Sequence, residues 1–217
     1  MGNNITELVF ILDRSGSMSG LESDTIGGFN SMIEKQKAEP GRALVTTVLF
    51  DNSYELLHDR IDLKNVPAMT GKDYWVRGST ALVDAVGRTI EHISGIHKYI
   101  RPGDVPARTV FVITTDGMEN ASHSYSADAV RGMIEKKQKA GWEFIFLGAN
   151  IDAVDTAKHF GIREANAVNY VPDGMGTANL YASVSRAVSS VRMRKNLDSG
   201  WRENTDRDYA ARHRSKE

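Results

Sequence analysis

Three apolar runs of strand length constrain the fold of this chain most strongly. They span residues 8–12, 109–113 and 144–147, and they are rich in β-branched and aromatic side chains. Runs that are apolar on both faces are typical of central strands in a parallel sheet, which helices cover on each side. The sequence therefore predicts an α/β architecture around a mainly parallel sheet.

Helical patterns separate these runs. Ile26, Phe29 and Ile33 recur at three- and four-residue spacing within residues 21–37, although Gly27 and Gly28 weaken that pattern. Similar periodicity predicts four further helices, over residues 80–93, 126–141, 153–160 and 177–195, and a last strand over residues 165–170. This alternation of strand and helix predicts a doubly wound sheet, with its ligand site outside the carboxyl ends of the strands.

One segment departs from the alternation. Two strand-like runs, residues 44–50 and 54–57, are separated by only three residues, a connection too short for a crossover helix. They should form an antiparallel hairpin. The fold class predicted from the sequence is thus an α/β, doubly wound, mainly parallel sheet with one antiparallel edge strand and helices on both faces.

The length and composition favour a single domain over residues 1–197, followed by a charged C-terminal tail over residues 198–217. The tail mixes both signs of charge with few apolar residues, so it is either solvated or a helix that docks on another surface. The chain has 217 residues, enough to bury a core without disulfides.

Cysteine and charge narrow the class of function. The sequence contains no Cys, so it forms neither disulfides nor thiolate metal sites. Its 27 basic and 28 acidic residues give a net charge of -1, without the broad basic footprint of a nucleic-acid binder. The N-terminal residues lack the pattern of a signal peptide. We therefore expect a cytoplasmic protein with neither nucleic acid nor membrane as partner.

Oxygen-bearing side chains follow the apolar runs. Asp13, Ser15 and Ser17 come directly after the first run, Asp116 closes the second, and Thr80 opens a helical pattern. A hard cation such as Mg²⁺ prefers oxygen ligands and keeps some of its waters. Taken alone, each residue is an ordinary capping or turn residue. Their joint occurrence in three loops instead favours a metal site.

With these residues the sequence resembles the von Willebrand factor A (vWA) family with its metal-ion-dependent adhesion site (MIDAS), in the stand-alone intracellular type. The pattern of that family is Asp-x-Ser-x-Ser, then a Thr, then an Asp, and Asp13, Ser15, Ser17, Thr80 and Asp116 match it. The resemblance covers residues 5–197 and implies a Rossmann-like fold. It also implies Mg²⁺ or Mn²⁺ as the cofactor, with the serines as direct ligands and the two Asp residues acting through water.

The function implied by the resemblance is binding. The metal would keep an open position for a Glu or Asp of a protein partner, which makes the chain an adaptor and not an enzyme. The alternative is a metal-dependent phosphohydrolase with Asp13 as nucleophile. It is weaker, because Ser15 stands where the haloacid-dehalogenase pattern has its second Asp, which leaves proton transfer without an agent.

The surroundings of the site are less distinctive. Arg14, Met18, Met118, Glu119 and Asn120 should surround the metal as loop side chains. For Glu119 we consider the hypothesis that it leans toward the metal and competes with the partner's carboxylate.

Two other groups look structural. Asp51 and Asp59, which flank the hairpin, are expected to be turn residues. The six His residues have no metal-ligand spacing.

Overall fold

A computed structural model describes residues 4–195, 197 and 199–214. The α-helices and strands of this part follow one another in the order β1 (Ile5–Asp13), α1 (Glu22–Ala38), β2 (Arg42–Phe50), β3 (Tyr54–Asp62), α2 (Leu82–Tyr99), β4 (Arg108–Thr115), α3 (Ala127–Lys139), β5 (Trp142–Gly148), α4 (Ala153–His159), β6 (Ala167–Asn169), α5 (Gly174–Arg192) and α6 (Glu203–Arg214). Short 3₁₀ turns connect several of them.

The strands form one sheet in the order β3-β2-β1-β4-β5-β6. Strands β2, β1, β4, β5 and β6 pair in parallel, and β3 pairs antiparallel with β2 at the edge. The predicted fold class is therefore confirmed. The register pairs Leu12 with Thr114, so the residues that follow β1 and β4 emerge side by side at the carboxyl edge of the sheet.

Strand β1 lies at the centre of the core and contributes to both of its layers. Phe10 faces one layer, where its ring meets Phe29 of α1 edge-on at 5.4 Å between centroids. Ile11 faces the other layer and packs in the same cluster as Val86 of α2. Burial on both faces explains why this strand is a continuous apolar run.

Helix α1 continues through Gly27 and Gly28, although these glycines weaken the helical pattern in the sequence. A Cβ at position 28 would lie 2.9 Å from Cγ of Tyr181 on α5 and closer still to other atoms of that ring. Gly28 thus lets α1 and α5 approach each other closely. A Cβ at position 27 would meet no atom within 4 Å.

Residues 199–214 form a 3₁₀ turn and helix α6, both docked on the domain. Trp201 is buried, and its Nε1 donates to the carbonyl of Ala165 at 3.1 Å. Thr205 is also buried and donates to Ser183 Oγ on α5 at 2.9 Å. The sequence allowed the charged C-terminal tail to be either solvated or a docked helix, and residues 199–214 are docked. Residue 198 and residues 215–217 lie outside the described part.

None of the helices in the described part of the chain is both long and apolar enough to cross a membrane.

Gly28 and Gly27 provide a matched test of the α1–α5 contact. We expect Gly28→Ala to lower the free energy of unfolding by about 1–3 kcal/mol, because the new methyl group overpacks the Tyr181 ring. Gly27→Ala should raise it by up to about 1 kcal/mol through helix propensity alone. Urea unfolding of both variants measures the difference, and equal effects would contradict the proposed packing.

Candidate metal centre

Three loops meet at the carboxyl edge of the sheet. The loop after β1 contacts the loop before α2, where the amide of Gly16 donates to the carbonyl of Gly78 at 3.0 Å. The loop after β4 reaches the same place, where the amide of Asn120 donates to the carbonyl of Thr80 at 3.0 Å. The parallel register therefore brings together segments that are far apart in the sequence.

Four of the five predicted site residues form one chain of hydrogen bonds. Thr80 Oγ1 donates to Ser15 Oγ at 3.0 Å, and Ser15 Oγ lies 3.0 Å from Ser17 Oγ. Ser17 Oγ in turn donates to Asp116 Oδ1 at 2.5 Å. Their oxygen atoms are thus close enough together to share one small ion.

Asp13, the fifth predicted residue, is fully buried beneath this series of hydrogen bonds. Its Oδ1 accepts from the amide of Ser15 at 2.7 Å, and its Oδ2 accepts from Thr115 Oγ1 at 2.6 Å. The hydroxyl of Tyr74 donates to its backbone carbonyl. Asp13 is therefore fixed from three directions.

The two carboxylates at this edge are electrostatically unfavourable when charged. Burial raises the pKa of Asp116 to about 6, and the nearby charge of Asp13 adds to the rise against the hydrogen bond from Ser17. Burial also raises the pKa of Asp13, although hydrogen bonds from Ser15 and Thr115 oppose it. A bound cation would relieve this cost.

The residues fit a small hard cation by two independent observations. Asp116 Oδ2 is buried and has no hydrogen-bond partner among the described residues. A Cβ at Gly117 would lie 2.9 Å from Ser17 Oγ and 3.1 Å from Thr80 Oγ1, so the glycine keeps the space over both hydroxyls clear. The donor set consists of oxygen atoms, which suits Mg²⁺ or Mn²⁺.

The candidate set differs from a site built on carboxylates and imidazoles. Within the described ranges, no group of three or more His, Cys, Asp or Glu side chains is placed to hold a metal ion. Here two carboxylates stand with three hydroxyls. The role of these five residues as ligands stays a prediction.

Sequence reasoning missed two residues that support the site and undervalued a third. Thr115 and Tyr74 hold Asp13, as described above, and Asn120 Oδ1 accepts from the amide of Thr80 at 3.0 Å. Thr115 was within reach of prediction, because it ends the apolar run beside Asp116. Tyr74 lies in a loop whose sequence has no periodic signal.

The environment of Arg14 differs from that of the loop side chain expected around the metal. Its side chain is completely buried, with Nε 2.9 Å from Asp51 Oδ2 and Nη1 2.6 Å from Glu55 Oε2. Asp51 also pairs with Arg77 at 2.8 Å and accepts from the amide of Ser53 at 2.6 Å. It is both a turn residue and the centre of an ion-pair cluster.

The charges of this cluster compensate one another. Burial works to raise the pKa of Asp51, but the hydrogen bonds from Arg77 and Ser53 and the charge of Arg14 outweigh it and lower that pKa. Asp51 therefore stays ionised without any need for a metal ion.

Two further expectations about the surroundings need correction. The hypothesis that Glu119 leans toward the metal is wrong, because its Oε2 accepts from the amide of Val83 at 2.8 Å at the start of α2. Its Oε1 accepts from the amides of Ala121 and Ser122. Met18 is buried and packs in the interior, whereas Met118 is exposed.

No protein-family model and no curated protein matches the sequence. Solved structures do match its fold. The vWF domain of the type V pili tip protein Mfa5 from Porphyromonas gingivalis has a TM-score of 0.64 at 10% identity, covering 88% of this chain and 97% of that one. The ArnB paralog VWA2 from Sulfolobus acidocaldarius has a TM-score of 0.54 at 18% identity, covering 85% of this chain and 45% of that one.

A third similar structure is that of proximal thread matrix protein 1 from the mussel byssus with a zinc-occupied MIDAS motif. Its TM-score is 0.58 at 14% identity, covering 87% of this chain and 46% of that one. This chain thus spans about half the length of the mussel protein. At these identities the likenesses show the fold, and they agree with the resemblance noted in the sequence.

The raised pKa of Asp116 predicts a stability that depends on pH. A carboxyl group with a folded-state pKa near 6 and an ordinary value of 3.8 stabilises the fold below pH 4 and loses that contribution as the pH rises through 6. In metal-free protein at pH 7, Asp116→Asn should therefore have a free energy of unfolding about 1–2 kcal/mol higher than that of wild type. This range allows for solvent screening of the charge.

Urea unfolding of both proteins between pH 4 and pH 8 measures this effect. The advantage of Asp116→Asn should shrink as the pH falls from 6 to 4. A difference that does not change with pH would show that Asp116 is not titrating in this range.

The burial of Arg14 predicts a large cost for its removal. Arg14→Met should lower the free energy of unfolding by about 3 kcal/mol or more, because Asp51 keeps its buried charge with one cation fewer. Arg77→Met, which removes the half-exposed partner of the same carboxylate, should cost less. Thermal unfolding of both variants gives the comparison, and a smaller loss in Arg14→Met would contradict the account.

Proposed function

We propose that this chain, which has the von Willebrand factor A fold, is a divalent-metal-dependent module for protein–protein interaction. Ser15, Ser17, Thr80, Asp13 and Asp116 would hold Mg²⁺ or Mn²⁺, and a Glu or Asp of the partner would complete its coordination. The observation that carries the proposal is the series of hydrogen-bonded hydroxyls that ends at the Asp116 carboxylate, whose Oδ2 has no hydrogen-bond partner in the part of the chain that the structure describes.

The hydroxyl and carboxylate residues of the site have different roles in binding the ion. The bound ion would supply an electrophilic centre for a carboxylate oxygen. Ser15, Ser17 and Thr80 offer neutral oxygen atoms, so they bind without cancelling the charge of the ion. Asp13 and Asp116 contribute the negative charge from buried positions. If the two Asp residues act through bound water, as the family resemblance implies, the ion would stay incompletely neutralised and would attract an acidic partner.

Binding has more support than turnover. The competing proposal, a phosphohydrolase with Asp13 as nucleophile, needs a carboxylate oxygen free to attack. Asp13 is fully buried, and each of its carboxylate oxygens accepts a hydrogen bond. Its neighbour at the position of a second acidic residue is Ser15, which lacks a group for proton transfer near neutral pH.

The similar structures support an interaction role at a coarser level. The Mfa5 domain comes from a pili tip protein, and the mussel protein is a thread matrix protein with a zinc-occupied MIDAS motif. For this chain, the choice of Mg²⁺ or Mn²⁺, the adaptor role and the cytoplasmic location remain predictions from the sequence.

Removal of one hydroxyl tests the metal site. We expect metal-free wild-type protein to bind Mg²⁺ or Mn²⁺ saturably with a stoichiometry of one, as measured by titration calorimetry. Ser15→Ala should weaken the affinity about tenfold or more, because it removes a proposed direct ligand and the hydroxyl that joins Thr80 to Ser17. The exposed Ser19 lies in the same loop and provides the control.

Ser19→Ala should bind the ion as wild type does. Thermal unfolding of both variants without metal checks that each one folds. Undiminished binding by a folded Ser15→Ala protein would contradict the assignment of the site.

A further inference from the structure

Two of the large apolar side chains that the described residues expose lie beside the candidate metal centre. Trp75 is 41% exposed and Met118 is 77% exposed. Met118 follows Asp116 by two residues. Exposed aromatic and Met side chains next to a recognition point are typical of protein interfaces. The region around the metal centre is thus apolar in part, and the metal chemistry does not use this property.

The loop that carries Trp75 is hydrogen-bonded directly to the loop after β1, which carries Ser15 and Ser17 and is called the metal loop below. The hydroxyl of Tyr74 donates to the carbonyl of Asp13, and the amide of Arg77 donates to the carbonyl of Arg14 at 2.9 Å. Trp75 lies between these two anchor points in the chain. Its position is therefore coupled to the backbone that presents the serine hydroxyls.

The indole of Trp75 is also fixed by two guanidinium groups. Cζ of Arg14 lies 5.3 Å from the ring centroid, and Cζ of Arg77 lies 5.4 Å from it, within cation–π range. Arg14 is in turn held by Asp51 and Glu55. An aromatic ring that is ordered before binding loses little conformational entropy on contact, which is the property of an interface hot spot.

The charge beside Trp75 indicates the kind of partner. The side chain of Arg77 is 46% exposed and places a cation next to the indole. Because Asp51 balances that cation, a bound divalent ion is what would make this part of the edge attractive to negative charge. The fitting occupant is therefore a segment of a partner protein that has an acidic residue and an apolar one together.

We propose that Trp75, with Arg77 beside it and Met118 in the loop after β4, is the specificity-determining contact of this module. It selects a partner segment in which the metal-bound Glu or Asp is flanked by an aromatic or large apolar residue. The proposal rests on the proposed function, since the metal supplies the point from which the flanking residue is positioned.

Two synthetic nonapeptides test the proposal in saturating Mg²⁺. Each has a central Glu, flanked in one by Phe on both sides and in the other by Ser. We expect wild type to bind the Phe-flanked peptide about tenfold more tightly, by calorimetry. Trp75→Ala should lose this preference, and Trp75→Phe should keep most of it. Tyr99→Ala, which truncates an exposed aromatic residue at the far end of α2, is the control and should keep it in full.

The outcomes separate the two proposals. Mg²⁺-dependent binding of both peptides with the same preference in Trp75→Ala and wild type would overturn the role of Trp75 and leave the proposed function standing. Binding of neither peptide in Mg²⁺, or equal binding without it, would overturn both. A change of Trp75→Ala from dimer to monomer in gel filtration would make a second copy the occupant and overturn the inferred partner.

Discussion

The site depends first on how Asp13 is held at the end of β1. One carboxylate oxygen accepts from the amide of Ser15, the other accepts from Thr115 at the end of β4, and the carbonyl accepts from Tyr74. These bonds join the metal loop to two segments that are 61 and 102 residues away in sequence. Because β1 and β4 are the two central strands of the sheet, a buried and rigid core supports this junction.

Two adjacent clusters differ in whether the protein itself neutralises their buried carboxylates. Around Asp51, Arg14 and Arg77 supply positive charge, so the carboxylate is stable in the protein as it stands. Around Asp13 and Asp116, hydroxyl and amide groups provide the hydrogen bonds, and the pKa of each carboxyl is raised. The first cluster is therefore complete and positions the neighbouring loop. The second one remains electrostatically unsatisfied, which is the property expected of a site that recruits a cation.

The sequence predicted the fold and the grouping of the site because both follow from patterns along the chain. Apolar runs and the short hairpin connection determine the sheet, and parallel strands bring their carboxyl ends to one edge. The environment of Arg14 was beyond such reasoning, because its partners lie 37 and 41 residues away in sequence. Glu119 was misjudged for a related reason, since the amide of Val83 that it accepts from belongs to another segment. Loop side chains take their positions from tertiary partners, and these leave no periodic signal.

The central claim is that one divalent ion binds among the oxygen atoms of the three loops. The most direct test is a crystal structure of the protein with Mn²⁺, with the ion located by its anomalous scattering. Our account predicts a single strong peak at coordination distance from Ser15 Oγ and Ser17 Oγ, on the side kept open by Gly117. The absence of a peak there at saturating Mn²⁺, or a peak only elsewhere on the molecule, would contradict it.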